Sequence, residues 1–299
     1  MEETKLIWMD GSLTPWKDAK IHILTHSLHY GAAVFEGLRF YETKKGPAIF
    51  RLKDHTKRLF YSASTLKMKI PFTEEEINKA IIETVKKNSV QSGYIRPLIY
   101  LGYGKMGLSP RGAPVNVSIA VWPWGSYLGE NPIKVKTSKY MRIHPKSTIA
   151  DAKITGHYVN SILAGEEAHS QGFDEALLLD YQGNVAEGPG ENLFIINENK
   201  IYTPKLGNIL AGITRDSIIQ IAKDLNMKVE EKTLTLEDLY SADEAFYTGT
   251  AAEVTPIAQV DDKTIKHSLG PITKQLKEAY ENILHGKNDK YKSWLTYVN

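Results

Sequence analysis

Polar and apolar positions along this chain follow two rhythms. One is the two-residue alternation of strands, and the other is the three-to-four-residue recurrence of amphipathic helices. LIWMDGSLTPW reads as two short strands around an Asp10-Gly11 turn. THSLHYGAAVFEG predicts a short helix, and LRFYE and AIFR predict strands on either side of a Lys-Gly-Pro turn. In KDHTKRLFYSASTLKM, Leu59, Ser62, Ala63 and Leu66 share one helical face. TEEEINKAIIETVKKN predicts a second helix, with Thr73 as N-cap and Glu76 completing a capping box. Two further strands are expected at YIRPLIYL and VNVSIAVWPW.

The texture changes at GSYLGENP, residues 125–132, where Gly, Pro and Asn mark a connection. Beyond it, ITGHYVNSILAGEEAHSQG predicts a helix with Val159, Ile162, Leu163 and Glu166 at helical spacing. A β-meander of EALLLD, NLFIIN and IYTP follows, with turns at Gln182-Gly183-Asn184 and Asn197–Asn199. TRDSIIQIAKDLN predicts a helix closed by Asn226, and LEDLYS a short one. Strands at EAFYTG and EVTPIAQV precede a last helix at ITKQLKEAYENIL. The expectation is an α+β protein of two lobes. A smaller N-terminal α/β domain covers 1–126, a connection 127–136, and a larger C-terminal domain 137–299.

Composition narrows the classes. Apolar residues at 42% and charged residues at 24% of 299 positions suit a globular chain with a sizeable core. Lys+Arg 37 against Asp+Glu 35 leaves +2, which gives no footprint for nucleic acid or an anionic membrane. The absence of Cys excludes disulfides, thiolate zinc sites, iron–sulfur clusters and a Cys nucleophile. The opening MEETKLIWMDG is acidic and lacks a signal-peptide core, and no apolar run approaches the ~20 residues of a membrane span. A soluble cytoplasmic protein is expected.

Candidate chemistry sorts itself by context. GYGKMG, residues 102–107, matches a dinucleotide pattern, but the prolines of LSPRGAP forbid the helix that pattern needs. His22, His26 and His29 have metal-like spacing without a completing Cys or Asp, so packed or capping histidines are expected and no metal. The G-x-S-x-G of serine hydrolases is absent. Lys153, in IADAKITGHYVNS, stands among small and apolar residues with Tyr158 close behind. EGPGEN brackets a tight turn with Glu187 and Glu191, which is either a solvated turn or a source of a carboxylate. AGITRD runs into a helix with Thr214 as expected N-cap, which is either a plain capped helix or, through its first-turn N–H groups, a phosphate seat. YTGTAAE is a second turn of small residues with exposed amides. Together these form the inventory that pyridoxal phosphate needs: a lysine amine, an acidic partner for the ring nitrogen, and N–H groups with an arginine for the phosphate.

HYGAAVFEGLRFY, HTKRL, GYIRPLIYLG, WPWGSYLG, AKITGHYVNSILAGEEAHSQGFDEALLLD, GNVAEGPGENLF, LAGITRD and FYTGTAAEVTPI resemble, in order and over essentially the whole chain, branched-chain amino acid aminotransferases. These are fold type IV pyridoxal phosphate enzymes. The resemblance implies that the larger domain is a β-meander pseudo-barrel with helices. It implies that Lys153 is the Schiff-base lysine, Glu187 the partner of the pyridine nitrogen, and Tyr158 the partner of the cofactor's ring oxygen. Arg58, the amides of Ile213 and Thr214, and Thr250 would hold the phosphate. Thr250 and Ala251, with the Tyr94 hydroxyl, would meet the substrate α-carboxylate. Tyr30, Phe35, Gly37, Arg39, Arg96, Trp124 and Tyr127 would line the pocket. The loop of Met106 and Leu108 would complete the pocket of a neighbouring subunit, in a homodimer or higher homo-oligomer.

Pro189, Ile154-Thr155 and His157 depart from the family's more usual small or glycine-rich choices. The implied reaction is reversible amino transfer between leucine, isoleucine or valine and 2-oxoglutarate, with amino acids and 2-oxo acids as small-molecule partners. D-amino acid aminotransferase or aminodeoxychorismate lyase, of the same fold, is the alternative.

Overall fold

The computed structural model describes residues 2–125 and 127–299; Met1 and Ser126, the latter at the expected lobe boundary, lie outside the described residues. Backbone contacts divide the chain into two units. The first is the chain up to Gly125 together with Ala152–His157 and Asn282–Asn299, and the second is the rest. This differs from the linear division expected from the sequence. The expected connection at 127–136 already holds most of a strand, and two later segments return to the first unit. The reason lies in packing that periodicity does not reveal: Ala152, Ile154 and Val298 are buried in the first unit's core.

The first unit opens with the hairpin of β1 (Leu6–Met9) and β2 (Ser12–Pro15). Its turn places Asp10 at φ 47° and Gly11 at φ 104°, the positive angles that such tight turns demand. Then come α1 (His26–Tyr30), β3 (Ala33–Phe35), β4 (Leu38–Tyr41), β5 (Ala48–Phe50), α2 (Leu52–Thr65), α3 (Glu74–Asn88), β6 (Gly93–Leu101) and β7 (Val115–Trp122). Long antiparallel pairing from Tyr94↔Trp122 to Leu101↔Val115 makes β6 and β7 the centre of the sheet. Both β3 and β4 pair with the far side of β6, and β1 pairs with β7. Ile95, Ile99 and Leu101 of β6 enter a core shared with Leu59 and Ala63 of α2 and Ile77, Ile81 and Val85 of α3. The alternation of a strand then sends Tyr94, Arg96 and Leu98 to the other face. Thr73 caps α3 as expected: its Oγ1 accepts from the Glu76 amide at 3.2 Å, while the Glu76 carboxylate accepts from the Thr73 amide at 2.7 Å.

The second unit contains β8 (Ile133–Thr137), α4 (Tyr158–Ser170), β9 (Glu175–Leu179), β10 (Val185–Glu187), β11 (Asn192–Asn197), β12 (Lys200–Pro204), α5 (Ile213–Asp224), β13 (Val229–Lys232), α6 (Leu236–Tyr240), β14 (Glu244–Gly249), β15 (Glu253–Val260), β16 (Lys263–Thr264) and α7 (Pro271–Leu284). The final residues of α7 belong to the first unit. The second unit's sheet curls back on itself. β8 lies parallel between β9 and β15, β14 joins β15 to β11, and the short β10 pairs with both β9 and β11. Val135, Leu177, Leu193, Ile195, Tyr247 and Ile257 fill this unit's main core.

Two sequence expectations shift here. α5 begins at Ile213 with Gly212 as N-cap, ahead of the expected cap Thr214. Ile213 and Thr214 are both buried within the helix, so the register that packs Ile213, Ile218 and Ile221 decides where it starts. In α4 the periodic residues Val159, Ile162 and Leu163 are 60%, 62% and 45% exposed. The face packed on this unit's sheet is instead Ala164 and Ala168, against Ala176 and Leu178. Finally, β17 (Leu295–Tyr297) pairs with β5 in the first unit's sheet. No helix among the described residues is long and apolar enough to cross a membrane.

Candidate active site

The lysine segment is fastened to the first unit through its backbone. The Lys153 amide donates to Ser62 Oγ of α2 at 3.0 Å, its carbonyl accepts from the Phe35 amide at 3.2 Å, and Ile154 bridges to Val34. The Gly156 amide donates to the Gly31 carbonyl at 3.1 Å. Gly31 has φ 63°, and a Cβ there would come within 2.9 Å of Gly156 Cα, so both glycines serve this close approach. Ala152 and Ile154 are buried on either side of the lysine. The apolar neighbourhood read in the sequence is therefore an anchor, and it leaves Lys153 Nζ 4.9 Å from the centre of the Phe35 ring.

Arg58 projects from α2 onto Glu36. Its Nε and Nη2 donate to the two carboxylate oxygens at 2.6 and 2.9 Å, and His55 Nδ1 donates to Oε2 at 2.7 Å. Burial would push the Glu36 carboxyl up, but Arg58 and His55 overcome it and hold the group well below the usual carboxylate range. Burial lowers the His55 imidazole below its ordinary value, with Glu36 opposing and the charges of Arg58 and Lys153 reinforcing. Sequence reading missed both partners, although Glu36 stands between Phe35 and Gly37 in VFEG.

On the open face of β6, the Arg96 guanidinium lies 4.7 Å from the Phe35 ring centre, 5.3 Å from Tyr94 and 5.9 Å from Trp122. Its Nη2 donates to the Tyr94 hydroxyl at 3.3 Å, and its buried Nε has no hydrogen-bond partner among the described residues. Tyr94 meets Trp124 edge-on at 4.5 Å, and Arg39 Nη2 donates to the Trp124 carbonyl at 3.0 Å. A side chain at Gly37 would collide with the Tyr94 hydroxyl. Phe35, Gly37, Arg39, Tyr94, Arg96 and Trp124 are thus brought together, with Trp122 as a member the sequence reading omitted. Tyr30, Met106 and Leu108 gather separately around Gly107, whose amide donates to the Tyr30 hydroxyl at 3.2 Å. The three histidines serve backbone groups: His22 accepts from the Leu24 amide, while His26 and His29 donate to the Gly107 and Ile23 carbonyls.

In the second unit, Glu187 ends β10. Between Val185 and Glu187 the pairing with β9 slips by one residue, a bulge of the kind that re-aims a side chain. Arg142 Nε donates to Glu187 Oε1, and Oε2 accepts from Asn192 Nδ2 and the Leu210 amide, each at 3.0 Å. Arg142 and Asn192 carried no signal that sequence reading used. Glu191 turns its carboxylate back onto the Gly190 amide at 2.9 Å, while Glu187 is held by the Arg142 guanidinium. Burial, and then the charges of Glu191, Glu175 and Glu187, raise the Tyr247 hydroxyl well above its ordinary value. Gly212 gives α5 no side-chain cap, and a helix start of that kind is where first-turn amides, here those of Ile213 and Thr214, can meet an anion. Thr250 and Ala251 lie in the β14–β15 turn, Tyr158 is the first residue of α4, and Tyr127 is 48% exposed.

In chemistry each unit carries groups that a phosphorylated pyridine aldehyde uses. The first has a lysine amine over an aromatic ring and an arginine locked in orientation; the second has a helix start without a side-chain cap and a buried carboxylate paired with a guanidinium.

The family described as amino-transferase class IV matches residues 33–260. The chain is 49% identical over 298 residues to a branched-chain-amino-acid aminotransferase of Pseudomonas aeruginosa, covering 98% of this chain and 97% of that one. It is 41% identical over 300 residues to the corresponding Escherichia coli K12 protein, again covering 98% and 97%. The T.th. branched-chain amino acid aminotransferase, solved with pyridoxamine 5'-phosphate, superposes with a TM-score of 0.97 at 48% identity and full coverage of both chains.

Proposed function

This chain belongs to the amino-transferase class IV family, and from that premise we propose that it is a pyridoxal-phosphate-dependent branched-chain amino acid transaminase. It moves an amino group reversibly between L-leucine, L-isoleucine or L-valine and 2-oxoglutarate. The observation that carries this reading is the Phe35 ring. It stands 4.9 Å from the Lys153 amine and 4.7 Å from the Arg96 guanidinium, so the reacting nitrogen adjoins an aromatic pocket holding a cation. The similarity to the Pseudomonas aeruginosa enzyme over nearly the full chain supports it.

When bound, the cofactor supplies an aldehyde carbon that takes the amino group and a ring that draws charge from the substrate Cα. Lys153 Nζ anchors it and takes the Cα proton as general base. Glu187, fixed by Arg142 and Asn192, holds a proton at the pyridine nitrogen. Tyr158 meets the ring oxygen. Arg58, the amides of Ile213 and Thr214, and Thr250 seat the phosphate. Thr250 and Ala251 amides, with the Tyr94 hydroxyl, orient the α-carboxylate. Phe35, Gly37, Arg39, Trp124, Tyr127 and Tyr30 shape the pocket for an aliphatic side chain.

The working assembly is a homodimer in the cytoplasm, in which Met106 and Leu108 complete the neighbouring subunit's pocket. Leu108 is 89% exposed, and the Val159–Ile162–Leu163 stripe is exposed too. Apolar surface of that extent is what an interface between copies covers.

A donor panel tests the reading. Keto acid should form from L-leucine, L-isoleucine and L-valine with 2-oxoglutarate, and not from D-leucine. Turnover of the D-enantiomer, or of none of these, would point to the alternative enzymes of this fold. Borohydride reduction of the holoenzyme should leave its label on Lys153, and Lys153→Ala should abolish transfer. A label on another lysine would overturn the assignment.

A further inference from the structure

We propose that His26 is a positioning residue for amino transfer, acting through the Met106–Leu108 segment on the substrate pocket that this segment completes. The clause about substrate rests on the homodimer reading above; the clamp itself does not. Both polar groups of the Gly107 backbone are gripped by α1. His26 Nε2 lies 2.9 Å from the Gly107 carbonyl, and the Tyr30 hydroxyl lies 3.2 Å from the Gly107 amide. His26 and Tyr30 stand four residues apart, one helical turn, and their rings pack at 4.6 Å.

The rest of the segment has little else to hold it. Gly104 and Gly107 have φ of 128° and 96°, and a Cβ at Gly107 would meet nothing within 4 Å. Among the described residues, Gly107 is where residues 104–109 are hydrogen-bonded to the rest of the unit. Loops are otherwise the least restrained part of a fold. Yet this one presents Leu108, 89% exposed, next to the clamped peptide. An apolar knob on a free loop would lose affinity to the entropy of ordering it, and holding its neighbour's peptide at both ends removes most of that loss.

The carbonyl can only accept, so His26 Nε2 carries the hydrogen. Its Nδ1, buried, then has no partner among the described residues, and the residue is 2% exposed. Sequence spacing gave His26 a metal-like look, whereas its use here is a single directed N–H. Loss of one buried hydrogen bond shifts such an equilibrium about tenfold.

The test compares H26F, H26N and H26Q in the holoenzyme. Phenylalanine keeps the ring's bulk and loses the donor; asparagine keeps an amide that falls short of Gly107; glutamine places an amide N–H at about the reach of Nε2. Trypsin reads the segment directly, because Lys105 and Arg111 are exposed within and beside it. Nicking at these sites should be about tenfold faster in H26F and H26N than in wild type. The KM for leucine should rise by a similar factor while kcat changes little, and H26Q should restore both. H26N carries the comparison if H26F fails to fold. Equal nicking in all four proteins, faster nicking with an unchanged leucine KM, or an H26Q as impaired as H26F would overturn the proposal. A wild-type protein that does not turn over L-leucine would instead remove the functional reading, and the nicking rates would still decide whether His26 is the clamp.

Discussion

Among single residues, Glu187 and His55 differ most from what their letters alone suggest. Glu187 is buried with Arg142, Asn192 and the Leu210 amide already on its carboxylate, so its orientation is set before any ligand arrives. Glu187→Gln should keep cofactor affinity while lowering kcat by roughly a hundredfold to ten-thousandfold, the usual span for losing a proton-holding group. Cofactor titration alongside steady-state rates would check it, and near-wild-type turnover would shift suspicion to Glu191. His55 makes a stability prediction. Its folded value lies below the ordinary 6.5, so between the two values the unfolded chain binds the extra proton and stability rises with pH. Cofactor-free protein should therefore lose up to about 1.4 kcal/mol per pH unit as pH falls below roughly 6.5. His55→Gln should flatten that slope in urea midpoints taken at about pH 7.5, 6.5 and 5.5, which bracket the ordinary imidazole value; parallel slopes would contradict it. Lys153 and Glu187 could be picked out as letters because their neighbours were unusual. Glu36, His55 and Arg142 could not, since their partners lie far away in sequence and only the fold joins them.

Within elements, the amphipathic helices α2, α3 and α5 and the long strands β6 and β7 were legible because one face of each is continuously apolar. The residues of β3 were expected within the short helix of THSLHYGAAVFEG, which in fact stops at Tyr30, and β10 and β17, three residues each, are runs too short to show a period. The stripe of α4 was read with the right spacing, but spacing does not say which surface covers it. β6 shows what alternation can do for function. Its odd-numbered isoleucines enter the core while Arg96 is carried onto the aromatic face. Leucine and 2-oxoglutarate must use the same pocket, yet one side chain is apolar and the other anionic. Arg96→Met should cut the 2-oxoglutarate half-reaction by about 2–5 kcal/mol, roughly 30-fold to several-thousand-fold, and the leucine half-reaction much less. Single-turnover rates of the two halves would settle it. An equal fall in both would mean that Arg96 binds the shared α-carboxylate or merely supports the pocket.

For the whole molecule, the exposed Val159, Ile162 and Leu163 call for a covering surface, and the homodimer reading supplies one. Ile162→Glu should drive the sedimentation behaviour from dimer toward monomer and lower leucine turnover with it, since a buried charge without a partner opposes association. A dimer as tight as wild type would place the interface elsewhere. The curled sheet of the second unit has its own consequence. Glu187 is registered with Leu178 on one side and Asn192 on the other, so it is the residue at which the strands meet and the ring shuts. β11 has a near partner in β12, whereas β9 pairs with the distant β8, and the carboxylate takes its place only where β10 pairs with both β9 and β11. Folding and the ability to hold a proton at the cofactor's ring thus mature in the same event. A chain caught with that seam open has no seat to offer, and every molecule of cofactor bound pulls the seam shut by mass action. The vitamin-derived group then works as a clasp on the barrel as well as a reagent within it.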